Sequence, residues 1–141
     1  MARFIAAKAS EEYVIRLSRL AGADQRQVAG KAIYAAADIV TDEVRRRLQG
    51  VIKGPSTGAL VASLGIAKLQ ETQDGYNVKV GFDGYDENGH PNQLKARVLE
   101  SGSSKQQKRP FMRPAVAATQ KQAIAKMGEV IDEEIARIMN E

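Results

Sequence analysis

Apolar residues recur along this chain at two periods. Between Asp24 and about Leu48, the residues Val28, Ala32, Ala35, Ala36, Ile39, Val40, Val44 and Leu48 fall three and four positions apart. That spacing gathers them on one face of a long helix, with Lys31, Asp38, Asp42 and Arg45 on the other side. Asp24 is suited to cap its start. A shorter helix is expected upstream, where Ser10, Glu11 and Glu12 precede an apolar face of Tyr13, Val14, Leu17 and Leu20, and Gly22 ends it. Toward the other terminus, Ile124, Met127, Ile131, Ile135 and Ile138 form the stripe of a final helix that Pro114 can open.

Between the long helices the period changes. Gly54-Pro55-Ser56-Thr57-Gly58 breaks the chain ahead of a strand-rich middle. Ala59 to Glu71 has mixed periodicity, whereas Tyr76-Asn77-Val78-Lys79-Val80 alternates, with Asp74-Gly75 as a hairpin turn before it. Gly81 to Pro91, rich in glycine and acids, reads as an exposed loop. Leu94 to Leu99 fits either period, and the pairing of Leu94 with Val98 on one helical face favours a short helix. The expected fold class is α+β: an antiparallel sheet of about three to four strands packed by a long N-terminal-half helix and a C-terminal helix. One domain over residues 1–141 is expected, with residues 1–22 as a segment free to move.

Composition adds that the core is thin in large anchors. Hydrophobic residues make up 43% of the chain, but there are three Phe, four Tyr and no Trp, and alanine fills much of the rest. Such a subunit is expected to gain stability from neighbours. The absence of cysteine excludes disulfides and thiolate chemistry. Met1 to Lys8 turns polar too quickly for a signal peptide and no window approaches a membrane span, so intracellular synthesis without membrane contact is expected.

The net charge of +4 permits contact with nucleic acid without requiring it, and its distribution says more. Ser101 to Gly128 holds six Lys or Arg and no acid, whereas Glu129 to Glu141 holds five acids against Arg137 alone. Arg113 at the start of the last helix and Asp132, Glu133 and Glu134 near its end oppose the helix dipole, costing about a few tenths of a kcal/mol per site. An acidic helix end that meets a basic loop on a neighbour would account for this order.

Candidate chemistry is sparse. His90 is the only histidine and lies near Asp83, Asp86 and Glu87, but no calcium-loop or His-x-x-x-His spacing accompanies it, so a solvated loop is expected. Gly50 to Gly58 superficially resembles a phosphate-binding loop, yet Lys53 precedes Pro-Ser-Thr-Gly and the stretch follows a helix instead of a strand. No catalytic, cofactor-binding or metal-ligating residues are assigned, no cofactor is expected, and the chain is not expected to be an enzyme. Arg45, Arg46 and Arg47, placed near a helix end and joined by Lys53, are the candidates for a surface facing DNA, without the aromatic interleaving that base stacking needs.

Three segments carry a resemblance: Gly54-Pro55-Ser56-Thr57-Gly58-Ala59-Leu60-Val61-Ala62-Ser63, then Leu99-Glu100-Ser101-Gly102-Ser103-Ser104-Lys105, then Arg109-Pro110-Phe111-Met112-Arg113-Pro114-Ala115. In this order and separation, over roughly residues 24 to 138, the chain resembles the small neck and tail-component proteins of long-tailed bacteriophages and prophages, a group that includes minor tail components and head-tail joining, tail-completion and tail-terminator-like proteins. Ser103 stands where Thr is usual, Met112 where Leu is usual, and the aromatic often found before the Glu is missing.

The resemblance implies a structural virion protein at the tail-neck junction that completes or terminates the tail tube and offers a head-joining surface. Its partners would be copies of itself, in a hexameric ring when assembled and as monomers in solution, together with the tail tube protein and the head-tail connector or closure protein. Non-specific contact with passing DNA is also compatible, and the location would be the virion, reached through the host cytoplasm. A head-side closure or adaptor protein is the neighbouring alternative, and a small basic non-specific DNA-binding protein the more distant one. Assembly candidates are Glu100, Gly102, Lys105, Lys108, Arg109, Phe111, Met112 and Arg113. Phe111 and Met112 are expected to anchor the last helix, Gly102 to permit the turn, and Glu100 to pair with Arg109 or Arg113.

Overall fold

The computed structural model describes residues 2–5, 20, 22–52, 58–73 and 75–140. The expected Ser10–Leu20 helix, most of the segment expected to move, Lys53 to Thr57 and Asp74 therefore lie outside the described residues. The chain order is β1 (Ala2–Ile5), α1 (Gly22–Val51), α2 (Ala59–Ala62), β2 (Leu64–Ile66), β3 (Gln70–Thr72), β4 (Gly75–Phe82), α3 (Asn92–Ser101) and α4 (Met112–Met139). This is the α+β arrangement of a small antiparallel sheet with a long helix from each half of the chain.

β4 is the centre of the sheet. β1 runs antiparallel along one edge, pairing Ala2 with Val80 and Ile5 with Asn77. Along the other edge β2 pairs Ile66 with Val80, and β3 pairs Gln70 with Asn77. Three residues on that edge, 67–69, thus oppose two on β4, Val78 and Lys79, so β2 and β3 are one strand lane interrupted by a bulge. The bulge turns peptide groups out of the ladder, and the Tyr34 hydroxyl of α1 takes them up. It accepts the Leu69 N–H at 2.7 Å and donates to the Ala67 carbonyl at 3.2 Å. This explains the mixed periodicity of residues 59–71, which form a short helix and two interrupted strand pieces.

The inward face of β4 carries Val78, Val80 and Phe82, all buried. α1 packs against this face and also against α4, so it lies between sheet and helix. Its burial is correspondingly wide: Ala29, Gly30, Ile33, Ala37 and Thr41 are covered in addition to the stripe through Val28, Ala32, Ala36, Val40, Val44 and Leu48. A Cβ on Gly30 would meet Leu69 at 3.3 Å, which marks how closely α1 approaches the bulge. α1 and α4 run antiparallel, since Lys31 near the start of α1 pairs with Glu134 near the end of α4 at 3.2 Å. Both helices bury small residues, among them Ala32, Ala36, Ala115, Ala123 and Gly128, which allow close packing without large side chains.

Residues 94–99 lie within α3, as the spacing of Leu94 and Val98 favoured. The expected loop from Gly81 begins two residues later, because Gly81 and Phe82 still belong to β4. Phe82 meets Phe111 edge to face, ring centres 5.9 Å apart at 78°, and this contact ties the sheet to the entry of α4.

Candidate functional site

Three helix ends converge on residues 99–113. α3 stops at Gly102, whose N–H donates to the Val98 carbonyl at 2.7 Å. Its φ of 78° with ψ of 178° suits glycine alone, and an added Cβ would stand 3.0 Å from the Lys108 nitrogen. The chain then turns tightly: the Ser103 hydroxyl accepts the amides of Lys105 and Gln106, and the Ser103 amide donates to the Gln106 carbonyl at 2.8 Å. The Arg109 amide returns to the Leu99 carbonyl at 2.6 Å, closing the loop onto the last turn of α3.

Glu100 joins this loop to α4. Its Oε2 accepts the amides of Phe111 at 2.7 Å and Met112 at 2.9 Å, and its Oε1 accepts that of Arg113 at 2.9 Å. A helix start leaves its first amides without intrahelical partners, and no side chain at the α4 N-cap supplies an acceptor. Glu100 does so from α3. Burial acts to raise its pKa, but the three amides and the Arg113 charge outweigh it, and the net shift is downward. The expected pairing of Glu100 with Arg109 or Arg113 is corrected accordingly: the carboxylate bonds to backbone, and Arg113 adds only its field. This also accounts for Arg113 at a helix start, because the missing anion arrives from a distant position in sequence.

Arg109 serves the third helix end. Its Nη1 donates to the Val51 carbonyl at 3.4 Å, placing a cation at the C-terminus of α1, whose last turn holds no basic residue. Phe111 and Met112 are buried in the core. The eight assembly candidates therefore divide. Glu100, Gly102, Arg109, Phe111 and Met112 build the junction from within, while Lys105, Lys108 and Arg113 point outward and are exposed.

The arginine run lies elsewhere, and two acids on the same helix offset two of its three charges. Arg45 pairs with Asp42 at 3.0 Å, and Glu43 takes both Arg46, through Nε at 3.0 Å and also through Nη2, and Arg47 at 2.8 Å. The Arg46 hydrogen bond is the chief cause that holds Glu43 down at about 2. These arginines also sit short of the helix end, since α1 continues to Val51. Lys53 lies outside the described residues.

The acidic loop is knitted around Asp86. Its Oδ1 accepts the amides of Asn88 and His90, and its Oδ2 pairs with Lys95 of α3 at 2.8 Å. The Lys95 bond is the largest cause holding Asp86 at about 2. Asp83 accepts the Gly84 amide, and Asn92 ties α3 to the Asp83 carbonyl. Among the described residues, no three of His, Asp and Glu come together as a metal site. A concavity of about 770 Å³ separates this loop from the 102–109 turn, with Leu60, Leu94 and Val98 in its floor and His90, Lys105 and Arg109 at its rim.

The one signal that could have revealed the role of Glu100 was the lack of an acid in the first turn of the last helix. The role of Tyr34 had no local signal, because the bulge it serves exists only once the strands pair. The chain matches no family model, no curated protein and no solved structure.

Proposed function

We propose that this chain is a non-catalytic structural subunit at the neck or tail end of a long-tailed bacteriophage or prophage. In this reading it completes or terminates the tail tube and presents a joining face to the head connector. The observation that carries the proposal is the Glu100 clasp. The Leu-Glu-x-Gly turn and the Arg-Pro-Phe-Met-Arg-Pro-Ala segment, which bear the resemblance, act as one unit through three hydrogen bonds from α4 to that carboxylate. Two of the three departures from the pattern are consistent with it: Ser103 supplies a hydroxyl, as Thr would, and Met112 fills a buried position, as Leu would. The first segment contributes Gly58 at φ 81°, buried Leu60, and Ser63, whose hydroxyl donates to the Leu60 carbonyl at 2.7 Å.

The clasp holds Lys105, Lys108 and Arg113 outward on a rigid base, suited to docking against an acidic neighbour. Self-association on the tube, the tail tube protein and the connector are the partners of this reading, and the virion is its location. The DNA-binding alternative is weakened, because Asp42 and Glu43 pair with all three arginines of the run and offset two of its three charges.

Electron microscopy of the purified protein, alone and mixed with tail tubes of the encoding element, tests the proposal. Rings or density on the head-proximal tube end are expected, and the Lys105→Glu/Lys108→Glu variant should lose them while staying folded. Absence of tube binding by the unaltered protein would overturn the tail-end position in favour of a head-side closure or adaptor. Normal assembly of the double variant would remove the basic turn from the joining surface.

A further inference from the structure

A cleft of about 540 Å³ runs between α3 and the first turns of α4. Phe82, Ala96, Phe111 and Met112 back it from the core, half-buried Val116 and exposed Ala117 are its accessible apolar surface, and Arg97 of α3 and Arg113 of α4 stand beside it. Both arginines are exposed, and among the described residues neither enters an ion pair. Glu100 is the one carboxylate among the described residues lining the cleft, and both its oxygens are taken by α4 amides. Glu100 keeps its charge there, so the two arginines leave the lining of the cleft with one positive charge in excess. Lys105 and Lys108, on the turn leading into α4, add positive charge at the same end of the molecule.

We propose that this cleft is the docking site for an acidic amphipathic segment of a partner protein. Apolar side chains of the segment would cover Val116 and Ala117, and its carboxylates would engage the planar donor forks of Arg97 and Arg113. Charge complementarity selects an acidic occupant, and the apolar surface selects one with an apolar stripe. A nucleic-acid backbone fits poorly, because phosphates would leave that surface uncovered. Nor are aromatic faces offered to bases, since Phe82 and Phe111 are only 6% and 1% exposed. Arg113 belongs also to the joining face proposed above, but the inference does not need the tail-end reading: the cleft can bind such a segment whatever assembly the chain belongs to.

The test is fluorescence anisotropy with the full chain and a labelled peptide that carries leucines at helical spacing between flanking glutamates. Saturable binding is expected, weakening by about tenfold or more in the Arg97→Glu/Arg113→Glu variant, which alters only exposed side chains. A second variant, Ala117→Glu, places an acid at the exposed edge of the cleft and should weaken binding in the same direction. Circular dichroism checks that both variants keep the fold. A peptide with lysines in place of the glutamates should not bind, and one with serines in place of the leucines should bind far more weakly. No saturable binding of the acidic peptide, equal binding by the arginine variant, or full retention by the serine peptide would each overturn the proposal. Tighter binding of a duplex DNA oligonucleotide that is lost in the same variant would reassign the two arginines to nucleic acid.

Discussion

Glu100 shows how one side chain can belong to an element it is not part of. It sits in the last turn of α3, yet its bonds complete the start of α4. Replacing it with glutamine removes the charge and leaves one oxygen to serve three amides. The expected loss is about 1–3 kcal/mol at neutral pH, the range for buried donors left without partners. The pH dependence has a definite sign. The folded-state pKa lies below its ordinary value of 4.5, so the carboxylate's contribution is fully present above 4.5 and is lost as pH falls through the depressed value. Urea titrations of the wild type and Glu100→Gln should therefore diverge most near pH 7 and converge in acid. A gap that is constant with pH would exclude the carboxylate as the source. Gly102 is set by the same junction, since both its φ and the nearness of Lys108 forbid a side chain.

At the scale of elements, the β2–β3 lane depends on α1. A strand lane broken by a bulge leaves peptide groups unpaired, and Tyr34 reaches across from the helix to bond two of them. Tyr34→Phe keeps the ring and deletes the hydroxyl. It should cost about 0.5–1.5 kcal/mol, the net worth of such bonds at a partly solvated site. It should also speed hydrogen exchange at the Leu69 amide relative to the amides of β4, which amide-exchange NMR reads directly. Unchanged exchange at Leu69 would mean that the bulge holds itself. The same reasoning explains why the short elements were hard to read. Tyr76 to Val80 alternates because β4 has one face on α1, whereas residues 59–71 change conformation within a few positions and show no stable period. The long helices were legible because a repeated apolar spacing survives small errors at the ends.

Across the whole molecule, α1 is the shared surface of two layers, and the Phe82–Phe111 contact is a second bridge between sheet and helix. Layers connected in this way should unfold together. Far-ultraviolet circular dichroism and tyrosine fluorescence are expected to give coincident urea transitions. Phe111→Ala should lower stability by about 3–5 kcal/mol, a large share of what a domain of this size holds. If the two probes separated in that variant alone, Phe111 would be the bridge that makes the transition single.

The amino-acid sequence by itself determined the two long helices, the alternation of β4 and the segments that meet at the junction. Those features follow from local rules, because periodicity, glycine and proline act through nearby residues. The pairing of Arg45, Arg46 and Arg47 with Asp42 and Glu43 is of the same local kind, because three- and four-residue separations on a helix bring side chains together. Only the tertiary structure decided the partners of Glu100. Glu100 looks like a partner for an arginine but is taken by backbone amides, which leaves Arg97 and Arg113 facing solvent over an apolar cleft. The physical reason is that a charged group pairs with whatever the fold brings within hydrogen-bonding distance, and proximity of that kind is not written in sequence separation.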